Sequence, residues 1–212
     1  MSQQSLQRLT RASTAVGCAM SLLIAAGCDN DMIKFHDQCG PYQDWASSEY
    51  VLPYPVGTEY PCIQGNCSNG GHHGFWKHGY DFRMPIGTPI TAAREGRVLY
   101  VWGNASDGDP SRTNVVTVEH PDGTVALYAH LTTNGPQVRI GDRVAAGDPI
   151  GLSGNSGWTG GTPHLHFSLH TCGGLPDLPR ETDCPSLPVT FRNTEPNPEG
   201  LVVGQSYAAL AF

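Results

Sequence analysis

The chain has 212 residues, 39% of them hydrophobic, with 26 Gly and 17 Pro. That is enough for one domain with a sizeable core, a leader and tails, and it favours short strands and turns over long helices. A net charge of −7 with only 12 Lys and Arg excludes the basic footprint of a nucleic-acid partner and that of a polybasic membrane binder.

At the N-terminus, Arg8 and Arg11 precede an apolar run over residues 15–26, which ends in Ala25-Ala26-Gly27-Cys28. The run is too short to cross a bilayer comfortably and reads as a secretion signal. Small residues before a cysteine resemble a bacterial lipobox, with cleavage before Cys28 and a lipid on its thiol. An ordinary signal peptide cut nearby is the alternative. The expected organisation is a leader over 1–27, a linker over 28–49 and a domain over 50–212, exported and lipid-anchored to a bacterial membrane on the periplasmic or cell-surface side. Nothing in the sequence calls for an oligomer, and a monomer is expected.

Export makes disulfides the default for Cys39, Cys62, Cys67, Cys172 and Cys184. Pairing near neighbours gives Cys62–Cys67 and Cys172–Cys184, with Cys39 left over. No CxxC spacing supports a cysteine zinc site.

From Tyr50 the pattern is that of a folded domain. Strands are expected over 98–102 and 114–120. Pro121-Asp122-Gly123 is a turn signal, and a return strand over 124–131 closes a hairpin. Gly141-Asp142 and Gly147-Asp148 punctuate two short segments. Residues 164–170 form another strand, and 173–200 is Pro-rich and irregular. The fold class is all-β: antiparallel sheets of short strands, one domain, with a groove between loops.

The histidines carry the chemistry. Residues i and i+2 of a strand share a face. His164, His166, Ser168 and His170 therefore line one side of the last strand, and Leu165, Phe167 and Leu169 enter the core. Two adjacent imidazoles suit one metal ligand beside one catalytic or supporting group. On 126–131, Ala126, Tyr128 and His130 share a face, so His130 can end in the same groove. The segment 72–82 gathers His72, His73 and His78 near Asp81. A solvated, His-rich loop is the bland alternative there.

The order of these pieces resembles the lysostaphin-type (LytM-type) zinc endopeptidases of peptidoglycan. The resemblance is carried by Tyr80-Asp81-Phe82 with Met84-Pro85-Ile86-Gly87-Thr88-Pro89-Ile90, by Ala92-Ala93 and Gly96, and by Tyr128-Ala129-His130-Leu131. It continues through Gly141-Asp142, Gly147, Gly151 and Gly154-Asn155-Ser156-Gly157 to Gly161-Thr162-Pro163-His164-Leu165-His166-Phe167. It implies a LytM-like fold and a Zn2+ ion held by His72, Asp81 and His166. It also implies catalytic roles for His130 and His164 and peptidoglycan peptides as substrate. Trp158, beside the Gly154–Gly157 loop, is either a substrate contact or an ordinary rim aromatic.

One departure is that Lys77 stands where the family's His-x-Gly-x-Asp pattern has its histidine, and an ammonium is a poor zinc ligand. An upstream variant of the pattern, with Gln64-Gly65 before it and Gly74 within it, makes His72 the first ligand. His73 is the second choice and His78 the third, since a three-residue offset from Asp81 puts His78 on the opposite face of an extended strand. The departure also leaves open a catalytically inactive LytM-like wall-binding or regulatory lipoprotein. A histidine-rich metal-binding lipoprotein is the remaining reading.

Overall fold

The computed structural model describes residues 39–173 and 184–212. The expected leader, Cys18 and Cys28 lie outside these residues, as does part of the Pro-rich stretch. The strands are β1 (Glu59–Gln64), β2 (Tyr80–Arg83), β3 (Pro89–Thr91), β4 (Gly96–Trp102), β5 (Asn114–Glu119) and β6 (Val125–Pro136). They continue with β7 (Arg143–Val144), β8 (Pro149–Ser153), β9 (His164–His170), β10 (Ser186–Leu187) and β11 (Ser206–Ala208). The main path runs β11-β1-β2-β9-β6-β5-β4-β7, with β10 on β9 and β3 joined through β8 to β6. The strand pairings along this path are antiparallel, as expected. Short 3-10 turns occur at Trp45–Ser47 and Gly74–Trp76. No helix among the described residues is long and apolar enough to cross a membrane.

β9 lies at the centre, between β2 and β6, and all its residues are buried. Its alternation is as expected. Leu165, Phe167 and Leu169 join the main core with Tyr80, Phe82, Tyr128 and Phe191. Each such large side chain contributes roughly 1.5–3 kcal/mol by leaving water. His164 and His166 face the groove instead. The hairpin from β5 to β6 turns where expected. Gly123 takes φ +82°, and Asp122 Oδ1 accepts the backbone N–H of Thr124 at 3.0 Å.

The expected face of His130 is corrected. Ala126 and Tyr128 lie in the main core, whereas Leu127, Ala129 and His130 line the groove. His130 has φ +64°, a left-handed conformation that costs a non-glycine residue roughly 1–2 kcal/mol. It breaks the alternation, so Leu131 rejoins the core and His130 reaches the groove from the other side. β6 pairs with β9 as far as Ala129 opposite His166, and beyond the kink Leu131 pairs with Ser153 of β8.

The cysteine pairing is corrected in part. Cys172–Cys184 forms as expected, but Cys67 bonds Cys39, with 6.0 Å between their Cα atoms, and Cys62 is a free, buried thiol. Cys62 is paired in register with Phe82 on β2 and points into the core. Cys67 lies beyond the strand, turned away by a positive φ of 54°. Nearness in sequence is overruled by where each side chain lies, Cys62 within the core and Cys67 against Cys39.

Candidate metal centre

Asp81 is the hub of the site. It sits in β2, opposite His166 of β9 in register. His166 Nδ1 lies 2.7 Å from Asp81 Oδ1. His72 Nε2 lies 3.3 Å from the same oxygen, yet it makes no hydrogen bond and is shut away from solvent. His164 Nε2 stands 3.6 Å from Asp81 Oδ2. The ring of His130 packs 4.6 Å from that of His164, centroid to centroid. Trp76 closes one side, edge-on to His166 at 5.0 Å.

Hydrogen bonds fix which nitrogen each ring presents. A carbonyl oxygen only accepts, so a ring nitrogen bonded to one must carry the hydrogen. Nδ1–H of His72 donates to Gly65 O at 2.8 Å, that of His130 to Ser156 O at 2.7 Å, and that of His164 to Thr162 O at 2.7 Å. The Nε2 lone pairs of the neutral rings are then left facing inward. His166 is reversed and presents Nδ1.

Burial raises the cost of ionising Asp81, but the hydrogen bond from His166 and the close approach of the His72 ring outweigh it and hold the carboxyl well below its usual range. Burial, with His164 and His166 close by, drives His130 down to about 3. Burial likewise lowers His166, against the pull of Asp81. At His72 burial works in the same direction, but the contacts with Asp81 win and its pKa is raised. The site thus holds an ionised carboxylate and a neutral His130 at physiological pH.

His72, Asp81 and His166 are all buried, and one ligand atom from each falls within 4.8 Å of the others. Two imidazoles and one carboxylate are a zinc-type donor set with room for a further ligand. The stranded His72 Nε2 is an atom that a cation would satisfy. His73, by contrast, is exposed. His78 turns away, its Nδ1–H donating to Ser186 O at 2.7 Å. Lys77 ends the 3-10 turn, and its backbone oxygen accepts from Cys67 N.

The site opens into a groove of about 1000 Å3 walled by Trp76, Tyr100, Trp102, Leu127 and Trp158. Trp158 is 71% exposed at the rim. The carbonyls of Gly65, Ser156 and Thr162, which orient the rings, leave no side-chain signal to read in a sequence. Gly79 does more than its place in the motif suggests. A Cβ there would come within 2.5 Å of Cε1 of His166, so glycine lets the chain entering β2 pass under the ring without displacing it.

An antiparallel β scaffold with a buried His-His-Asp cluster, two more imidazoles and an aromatic groove defines the class: a protein built around a metal-ligand set that opens into a groove. Residues 76–177 match Peptidase family M23, and the chain carries a domain of that family. The match takes in Asp81, His130, His164 and His166, while His72 lies just before it. The chain is 36% identical over 120 residues to glycyl-glycine endopeptidase ALE-1 of Staphylococcus capitis, covering 56% of this chain and 27% of that protein. It is 38% identical over 92 residues to peptidoglycan DD-endopeptidase ShyA of Vibrio cholerae, covering 43% of this chain and 20% of that one. The chain thus spans about a fifth to a quarter of these relatives' length. Among solved structures, the catalytic domain of lysostaphin from Staphylococcus simulans aligns at 30% identity and a TM-score of 0.42, over 65% of this chain and 88% of that one.

Proposed function

We propose that this chain is a zinc-dependent endopeptidase that hydrolyses peptide bonds in peptidoglycan stems or cross-links. The observation that carries the reading is the convergence of His72, Asp81 and His166 on one point, with His130 and His164 turning their Nε2 atoms to the same place. His72 through Nε2, Asp81 through its carboxylate and His166 through Nδ1 hold the ion. When bound, zinc acidifies water and polarises a carbonyl. His164 Nε2 takes a proton from the attacking water and returns it to the leaving amine. His130, neutral and fixed by Ser156, offers its Nε2 lone pair to that water and orients it. Proton transfer of this kind contributes roughly two to four orders of magnitude in rate. The aromatic walls bind the extended peptide and keep the reacting bond away from bulk water.

An inactive wall-binding or regulatory relative is disfavoured by the same convergence, because the Lys77 departure is offset by His72 reaching the site from upstream. The relatives named for activity on peptidoglycan or glycyl-glycine bonds support the substrate class. Export and lipid attachment at Cys28 fit a substrate outside the cytoplasm and belong to this proposal.

The full-length chain is expected to bind one zinc per molecule and to release peptides from purified peptidoglycan, with chelation stopping release. His166→Ala is expected to abolish both. Zinc binding that survives His166→Ala would sink the ligand assignment. Stoichiometric zinc with no cleavage would leave the inactive reading standing.

A further inference from the structure

His166 is the one ring of the site whose outward nitrogen meets no backbone carbonyl. Its Nε2 faces Ser168 Oγ at 3.3 Å, and Ser168 Oγ lies 2.8 Å from His170 Nε2. The far nitrogen of that second ring, His170 Nδ1, lies 3.2 Å from Cys184 O. Ser168 and His170 follow His166 at two-residue steps on the inner face of β9, and both are buried.

Without a metal, Asp81 Oδ1 at 2.7 Å takes a hydrogen from His166 Nδ1; with a cation at Nδ1, one assignment of hydrogens satisfies the rest of the row. Cys184 O can only accept, so His170 carries its hydrogen on Nδ1 and offers a lone pair at Nε2. Ser168 has a single hydroxyl hydrogen, and His170 Nε2 requires it. The hydroxyl oxygen then accepts, and the hydrogen it accepts is on His166 Nε2. Nδ1, on the Asp81 side, is left as the edge from which His166 can bind a cation.

We propose that Ser168 and His170 are positioning residues that commit the Nε2 hydrogen of His166 and so aim its Nδ1 at the metal. The row starts from a fixed point. Cys184 is tied to Cys172, just past the end of β9, and β10 pairs with β9 through Ser186 opposite His170. The second ring is also held by stacking on Phe75, with centroids 4.1 Å apart and planes 20° apart. A ligand histidine whose second nitrogen is anchored binds its metal roughly 10–100-fold more tightly than one left unanchored. This inference rests on His166 being a ligand, as in the proposed function.

The test reads two things in the full-length chain: zinc affinity, by competition with a chromophoric chelator, and the exchange of the His166 Nε2 hydrogen with water, by 15N–1H spectra of the zinc-loaded protein. In the unsubstituted chain, that hydrogen is expected to be protected by Ser168. Ser168→Ala is expected to lose the protection and to weaken zinc binding on the order of 10-fold. His170→Phe, which keeps an aromatic ring against Phe75, is expected to fall between the two, because the Ser168 hydroxyl is then free to turn either way. His73→Ala, on an exposed side chain, is expected to change neither reading. Unchanged zinc affinity in Ser168→Ala, or a His166 Nε2 hydrogen as protected in that variant as in the unsubstituted chain, overturns the proposal. If the unsubstituted chain binds no zinc, the metal-site reading itself has failed, and the chelator competition shows that separately from any effect of Ser168.

Discussion

At the scale of single residues, the site divides its histidines by the partner of each ring's second nitrogen. Three are oriented by carbonyls and present Nε2, and one is oriented along its own strand and presents Nδ1. His164 lies near Asp81 without hydrogen-bonding to it. His164→Ala is therefore expected to keep zinc at one equivalent while kcat falls by roughly 10^2 to 10^4, measured on a peptidoglycan cross-link peptide. Gly79 belongs at this scale as well. Gly79→Ala forces its new methyl against the His166 ring, and zinc affinity in the same chelator competition is expected to drop on the order of 10-fold. Affinity equal to that of the unsubstituted chain would show that β2 can yield without disturbing the ring. The shared groove face of His164 and His166 follows from strand alternation and was legible in the sequence, while the division of roles proposed for them rests on the family resemblance. The role of Gly79 was not legible there, because a close approach between two strands depends on their pairing.

At the scale of elements, the loop between β1 and β2 is the vulnerable part of the site. It delivers His72, and it is anchored by Cys39–Cys67, a bridge across 28 residues of sequence. Cys39→Ser is expected to destabilise the fold by about 3 to 4 kcal/mol on the chain-entropy view of crosslinks, read as a lower midpoint in urea. Zinc affinity should weaken with it, since the histidine rides on the loosened loop. The neighbouring Cys62 behaves differently. Burial pushes its thiol up to about 12, so the Cys62-bearing peptide is expected to stay unalkylated in the native chain at pH 8 and to react once the chain is unfolded, as peptide mass mapping would show. β6 carries the other local strain, at His130. Sequence alternation put this residue on the face of Tyr128, and a single left-handed residue moved it to the other. Such a kink is invisible to periodicity, which assumes that every residue of a strand is extended.

At the scale of the whole molecule, the row of buried imidazoles links stability to pH. Burial lowers His170 to about 4 from an ordinary 6.5. Between those values the unfolded chain holds a proton that the native chain does not, so stability rises with pH across that window. It is fully present above pH 6.5 and lost as the pH falls towards 4, at up to about 1.4 kcal/mol per pH unit for one such histidine. Urea unfolding of the zinc-free chain at several pH values checks this. His170→Phe should flatten the dependence in that range, and an unchanged slope would assign it to other groups.

The sequence by itself determined the β class, the hairpin at Pro121-Asp122-Gly123, the core face of β9 and the set of side chains fit to hold a metal. These depend on local pattern: alternation, turn chemistry and the donor atoms of each residue type. The tertiary structure alone decided which of His72, His73 and His78 meets Asp81, which cysteine Cys67 joins and which nitrogen each ring presents. Those are matters of direction across the fold. Residues far apart in the chain meet only when β1, β2, β6 and β9 are laid side by side, and carbonyls with no side-chain signature then orient the rings.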